Sequence, residues 1–449
     1  MKKHGCVYTP THIVNIILDF GGYNTTEILN KHVIDNSCGN GAFLIEIVNR
    51  YCSIFSKTNT DLSALKKDLE TYVHGIELNT TECQACIQNL NSIADKYGLS
   101  GIKWDVLNSY NSVKKFKFAE EGMTDLYIVF FEIGFKMLSK DGVMCLITPS
   151  SWLSSLAGKK LREYIMAYRN LSGVIDLEHY QPFQATTYTI ISRFSNLKRH
   201  SQIEYFNFDE VKLDKCFQDK LKYDTISISK NLHLSKNENL ELLRKIKTSH
   251  SYSYVSVKNG FATLADKIFI GDFDFNCGTI HILKASTGKW SKCIYPYDEL
   301  GKPMTQCDFM KNKEAYAYLL SHQDKLTKGR DIENDKHWFL FGRTQALKDV
   351  SKTKYAINTI VKDLQSIKLE IVPKQCGIYS GLYILTYIDF QTIKELIYCD
   401  DFIEYIKLLK NYKSGGYYTY TSKDLELYLN FKLTEKYGQS RISSSRELF

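Results

Sequence analysis

The chain has 449 residues, 44% hydrophobic and 13% aromatic, enough apolar material for two globular units with their own cores. Its formal net charge of +8 suits a polyanionic partner, and no apolar run approaches the length of a membrane span or leader, so a cytoplasmic protein is expected. The 12 cysteines are scattered, and Cys83-x-x-Cys86 has no second pair to complete a tetrahedral site, so reduced thiols and no metal centre are expected.

In chain order, Ile13, Val14, Ile16, Ile17, Leu18 and Phe20 predict a short helix over 11–20, capped by Thr9 or Thr11 with Pro10 near its start. Residues 33–44 read as an apolar strand ending in Asp35, a turn containing Gly39 and Gly41, and a helix that runs on to about 52. Glycines in such a turn let the backbone approach a ligand, and a strand-end acid can grip a ribose or an amino group. A polar helix near 61–71 leads to a second apolar strand, 72–77, which ends in Glu77. A helix over 80–97, a short strand at 102–104, a buried helix over 124–138 and a strand over 142–148 follow. A helix over 153–167, a strand over 173–177 and an edge hairpin strand over 187–194 complete the pattern. This alternation predicts an α/β fold with a parallel, doubly wound sheet.

Beyond Phe194 the character changes. Residues 203–208 alternate as a strand, 212–250 are Lys-rich and loosely helical, and 252–449 contain short aromatic strands, Gly turns and isolated helices such as 402–412. A boundary is expected near 230, giving domains 1–230 and 231–449, with a polar tail around 439–446.

Taken in order, the motifs resemble the gamma-class (TaqI-like) N6-adenine DNA methyltransferases of restriction–modification systems. Tyr8-Thr9-Pro10 resembles the family's N-terminal motif, and Asp35-x-x-Cys38-Gly39-x-Gly41-Ala42-Phe43-Leu44 its glycine loop, with Asn36 in place of the usual proline. Gly75-Ile76-Glu77 and Trp104-Asp105-Val106-Leu107 resemble the next two motifs. Thr124-Asp125-Leu126-Tyr127 with Glu132, Ile147-Thr148-Pro149, and Tyr180-x-x-Phe183 with 187–191 resemble the rest of the catalytic domain. Gly260-Phe261-Ala262-Thr263, His337-Trp338-Phe339-Leu340 and 415–420 resemble the target-recognition domain.

The resemblance implies a Rossmann-like S-adenosylmethionine-dependent methyltransferase sheet with a mixed, largely β C-terminal target-recognition domain. It implies S-adenosylmethionine as cofactor, held by Tyr8, Thr9, Asp35, Cys38, Gly39, Gly41, Phe43, Glu77 and Asp105. Glu77 would take the ribose hydroxyls, Asp105 the adenine amine, and Asp35 and Thr9 the charged ends of the methionine part. Phe183 would stack on a target adenine swung out of double-stranded DNA. A separate restriction endonuclease is the expected further partner. The carboxylates of Asp35, Glu77 and Asp105 are therefore expected on one rim of the sheet.

One departure bears on catalysis. The family's chemistry uses Asn-Pro-Pro-Tyr after a buried strand that precedes the helix near Thr124. Here the six prolines (Pro10, Pro149, Pro182, Pro296, Pro303 and Pro373) are never adjacent, and 108–123 are polar and Lys-rich. Asn108-Ser109-Tyr110 matches only the motif's ends. No catalytic residue is assigned, and a catalytically silent DNA-binding relative is the alternative reading. A strand missing beside 33–35 is expected to leave two rows of backbone groups to be satisfied.

Overall fold

The computed structural model describes residues 8–108, 116–119, 125–183, 187–196, 199–248, 251–328 and 337–438. The 109–110 part of the Asn-Ser-Tyr echo, Thr124 and the tail at 439–446 lie outside them. The chain divides into two compact units, one up to Leu242 and one from Leu243 onward. The division falls inside the helix Asn237–Thr248 rather than near 230.

In the first unit, α1 (Thr11–Phe20) begins at Pro10, whose carbonyl accepts from the amides of Ile13 and Val14; no side chain caps it. Then come β1 (Val33–Asp35), α2 (Ala42–Thr58), α3 (Leu62–Tyr72), β2 (Val73–Ile76), α4 (Thr80–Asp95) and β3 (Asp105–Leu107). The three strands form a parallel sheet of order β1-β2-β3. Strand side chains alternate between faces. Val33, Val73 and Val106 pack with the buried residues of α2, α3 and α4, while Ile34, His74 and Asp105 share the other face.

After α5 (Leu126–Met137) come β4 (Val143–Pro149), α6 (Lys159–Tyr168), β5 (Leu171–Asp176), β6 (Thr189–Ser195), β7 (Gln202–Asp209) and β8 (Asp214–Lys222). These strands make a second sheet of order β4-β6-β5-β7-β8. Two expectations change here. Strand β6 is not at an edge but lies antiparallel between β4 and β5, and the Lys-rich stretch opens with strand β8 rather than a helix. The single parallel sheet is thus two sheets, one parallel and one mixed. Among the described residues, β1 pairs only with β2 and β4 only with β6.

Helix α1 serves both sheets. Val14 and Leu18 belong to the core of α2 and α4, while Ile13, Ile16, Ile17 and Phe20 pack with Ile175, Leu177 and Ile191 beside β4. Arg193 on β6 reinforces the second contact, donating to the carbonyl of Phe20 at 3.0 Å with its guanidinium over the Phe20 ring. Apolar residues on the two strands at the interruption stay open to solvent: Ile34 on β1 is 40% and Val143 on β4 49% exposed.

The second unit is mixed. One antiparallel sheet runs Val255–Asn259, Leu382–Thr386, Lys354–Ile357, Leu369–Val372. A second holds Thr279–Lys284 between Lys289–Ile294 and Cys376–Tyr379, and helices Phe390–Ile397, Asp400–Leu408 and Ser422–Tyr437 follow. The His337–Leu340 motif serves its core, because Trp338 and Phe339 are buried.

Unpaired strand edges exchange their amide hydrogens faster than interior strands. Hydrogen-exchange mass spectrometry is expected to find less protection in 33–35 and 143–149 than in 173–176 and 189–194; equal protection would mean that the two rims are covered.

Candidate functional site

The carboxyl ends of β1 and β2 bring a glycine turn and two acids together. Beyond β1, the amide of Cys38 donates to the carbonyl of Ile76 at 3.0 Å, and that of Gly41 to the carbonyl of Cys38 at 2.8 Å. Gly39 and Gly41 have φ of +52° and +93°, a region where side chains are strained. A side chain on Gly41 would also collide with the thiol of Cys86.

Glu77 closes the turn from the other strand. Its Oε2 accepts the Gly39 amide at 2.9 Å and its Oε1 the Asn79 amide at 2.7 Å. Its own amide donates to the carbonyl of Leu107 at 2.9 Å, which anchors it to β3. Each carboxylate oxygen keeps acceptor capacity for a further donor. Asp35 lies close enough for the charge of Glu77 to act on it. Burial, opposed by the Ser37 amide and reinforced by Glu77, pushes its carboxyl up to about 6.

Around this pair, Tyr8 donates its hydroxyl to Glu82 at 2.7 Å and lays its ring over Gly39, while Thr9 is half-buried before α1. Cys38 is buried beside Cys86, and Phe43 packs against both cores that α1 joins. Phe183 is half-buried in the loop after β5, where His12 on α1 meets the hydroxyl of Tyr180 at 2.7 Å.

Asp105 is placed differently from the expectation. It is the first residue of β3, in register with His74, and its Oδ2 accepts from His74 Nδ1 at 2.6 Å on the sheet face opposite α2 and α4. It does not join Asp35 and Glu77. The end of β3 is instead occupied by Asn108, whose Nδ2 donates to the carbonyls of Glu77 and Leu78 at 3.0 and 3.1 Å. Asn108 was missed because the strand was expected three residues earlier. Among the described residues, no three His, Cys, Asp or Glu side chains gather to hold a metal ion, and no helix is long and apolar enough to cross a membrane.

Residues 97–183 match the family described as Eco57I restriction-modification methylase. The chain is 24% identical over 420 residues to the Type II methyltransferase M.BstVI of Geobacillus stearothermophilus, covering 75% of this chain and 74% of that protein. It is 23% identical over 477 residues to the Type II restriction enzyme and methyltransferase RM.Eco57I of Escherichia coli, covering 76% of this chain and 48% of that protein. Its fold is shared with the Type IIL restriction-modification enzyme MmeI, solved in complex with DNA, at a TM-score of 0.58 and 10% identity over 94% of this chain and 64% of that one. A nuclease-deletion mutant of the Type ISP enzyme LlaGI gives 0.52 and 10% over 97% and 55%. The chain thus spans about half of RM.Eco57I and less than two thirds of either solved enzyme. It is similar to restriction–modification methyltransferases, with an α/β first unit in which residues 97–183 match part of the Eco57I methylase model.

The raised Asp35 carboxyl gives a prediction with a definite sign. The folded chain holds this proton up to about 6, whereas the ordinary value is 3.8. The contribution to stability is therefore full below 3.8 and lost as pH rises through about 6. Asp35→Asn is expected to raise the melting temperature at pH 7.5 and leave it unchanged near pH 4. Equal melting of the two proteins at pH 7.5 would refute the strained carboxylate.

Proposed function

We propose that this chain binds S-adenosylmethionine at the ends of β1 and β2 and acts as a site-specific DNA adenine-N6 methyltransferase of a restriction–modification system. The observation that carries the reading is Glu77, an acceptor fixed by two backbone amides beside a turn of positive-φ glycines. Its remaining lone pairs suit two neighbouring ribose hydroxyls, because a carboxylate accepts through both oxygens. Asp35, across the same turn, suits a cationic ammonium, whose charge would favour the carboxylate form that burial disfavours. S-adenosylmethionine, when bound, supplies a methyl group on a positively charged sulfur.

The chain's own residues do the rest. Tyr8 and Cys38 wall the turn, Thr9 would hold a charged end of the methionine part, and Phe43 packs behind the turn. Phe183, half-buried beyond Tyr180, would stack on an extrahelical adenine, since the amine to be methylated lies inside the base stack. In the second unit, Phe261, Asp266, Lys267, His322 and Lys325 are among the residues lining an open groove of about 690 Å³. Lys267 and Lys325, which outnumber Asp266 there, suit phosphates, which position DNA while base edges are read elsewhere. Duplex DNA is thus the partner, with a separate endonuclease as its cleaving counterpart.

A second reading rests on one observation. No two prolines are adjacent in the chain, so the element that would polarise the amine in the resembling family is not present in recognisable form. The chain would then bind cofactor and DNA without transferring methyl.

Transfer of labelled methyl from S-adenosylmethionine to duplex DNA separates the two. Incorporation supports the first; cofactor and DNA binding without label identifies the second; failure to bind the cofactor overturns both. Glu77→Ala is expected to weaken cofactor binding by calorimetry about ten- to hundredfold, as for loss of charged hydrogen bonds of about 1.5–3 kcal/mol. Unchanged affinity would remove the assigned pocket. DNA affinity should fall steeply between low and moderate salt through counterion release, and a flat dependence would count against DNA as ligand.

A further inference from the structure

On the sheet face that the proposed cofactor site does not use, three side chains form a hydrogen-bonded row. His32, just before β1, meets His74 of β2 with Nδ1 and Nε2 2.8 Å apart, and His74 Nδ1 lies 2.6 Å from Asp105 Oδ2 at the start of β3. The two rings are inclined by only 17° with centroids 5.1 Å apart. With nitrogens at 2.8 Å, that spacing is an edge-to-edge, head-on approach. The ring of Tyr72 stands edge-on to His32 at 5.1 Å and walls one side.

We propose that His32 and His74 form a two-imidazole site for a divalent transition metal of the zinc and copper class, with Asp105 as its positioning residue. Asp105 accepts the Nδ1 proton of His74 and so leaves the Nε2 lone pair directed at His32, the carboxylate–histidine arrangement that orients metal ligands. Metal at His32 Nδ1 displaces the proton shared between the rings. That proton moves to His32 Nε2 by a change of tautomer, and none needs to leave the pair. Imidazole is a preferred ligand for this class.

The geometry needs a small opening. Zinc–nitrogen bonds of about 2.0–2.1 Å in a tetrahedral arrangement set two ligand nitrogens about 3.3 Å apart. The gap of 2.8 Å must therefore widen and the rings tilt. The backbone permits it, since residues 29–32 are neither helix nor strand and His32 is exposed. Asp105 and His74 have side chains 45% and 22% exposed, so an ion and its remaining water ligands have access. A metal there would clip the entry of β1 to β2, in the sheet whose β1 edge has no partner strand among the described residues.

Calorimetric titration of the full chain with Zn²⁺, and separately with Cu²⁺, tests this. The expected result is a saturable site with tighter binding of Cu²⁺ than of Zn²⁺. Affinity should fall more than tenfold in His32→Ala and in His74→Ala, and ten- to hundredfold in Asp105→Asn, which keeps both ligands. Electron paramagnetic resonance of the Cu²⁺ form should show coupling to two imidazole nitrogens. The variants' melting temperatures without metal report folding, and because His32 precedes the strand, His32→Ala keeps the test open if His74→Ala unfolds. Binding that survives His32→Ala unchanged, a one-nitrogen spectrum, or no saturable binding overturns the site.

Discussion

The candidate site of the first unit depends on one carboxylate that joins two strand ends. Glu77 takes the amide of Gly39 from the turn after β1 and that of Asn79 from the start of α4. Its backbone is fixed as well, donating to Leu107 of β3 and accepting from Asn108. Three strands and a helix therefore converge on a residue whose side chain has little freedom left to lose. An acceptor already ordered costs little further entropy on binding, which is where preorganised sites gain affinity. The same pair of amides holds both oxygens of the Glu77 side chain in place beside Asp35. The repulsion between them falls on Asp35, where burial already favours the proton.

What holds the unit together around that site is a helix rather than a continuous sheet. In a wound sheet each interior strand is bonded on both sides, whereas among the described residues the pairing stops at β1 and resumes at β4. Apolar packing by α1 spans both portions, with Val14 and Leu18 in one core and Ile13, Ile17 and Phe20 in the other. Such packing is non-directional and proportional to the area buried, so it can join two sheets without matching their registers. The interruption lies next to β1, beside the strand whose end builds the site. It has little effect on Glu77, which is held from the β2 and β3 side, and most effect on whatever chemistry the far side of β1 would supply.

Much of this was legible in the sequence where local pattern and tertiary role agree. The helices α1 to α4, strands β1 and β2, the glycine turn and the pairing of Asp35 with Glu77 follow from apolar periodicity and from glycines at forced φ. Helix α2 ran six residues further than its apolar start suggested, to Thr58, because Ile54 and Phe55 continue the buried stripe. Less legible were features set by long-range pairing. That β6 lies inside its sheet depends on β4 and β5 flanking it, and nothing within 187–194 announces both neighbours. The Lys-rich β8 looked helical because its exposed edge carries charges, which is how edge strands discourage further pairing. The His337–Leu340 motif, which resembles the target-recognition domain, lies in that unit's core for the plain reason that Trp338 and Phe339 are large and apolar.

The position of β3 had the largest chemical consequence. Ile102 and Trp104 alternate as a strand would, yet their stretch is tied to helices instead. The Lys103 amide donates to Glu70 of α3, the Trp104 indole donates to Asn91 of α4, and Ile102 is buried against the same core. With that backbone committed, sheet pairing begins at Asp105. Because strand side chains alternate with a period of two, a displacement by an odd number of residues exchanges the faces. A carboxylate expected at the rim thus becomes the partner of His74 on the opposite face, and the rim receives the amide of Asn108. An amide both donates and accepts where a carboxylate only accepts, and this one already donates to Glu77 and Leu78. A ligand reaching the end of β3 would therefore meet a neutral group that is part of the scaffold holding Glu77, so recognition at this rim falls chiefly to the two acids of β1 and β2.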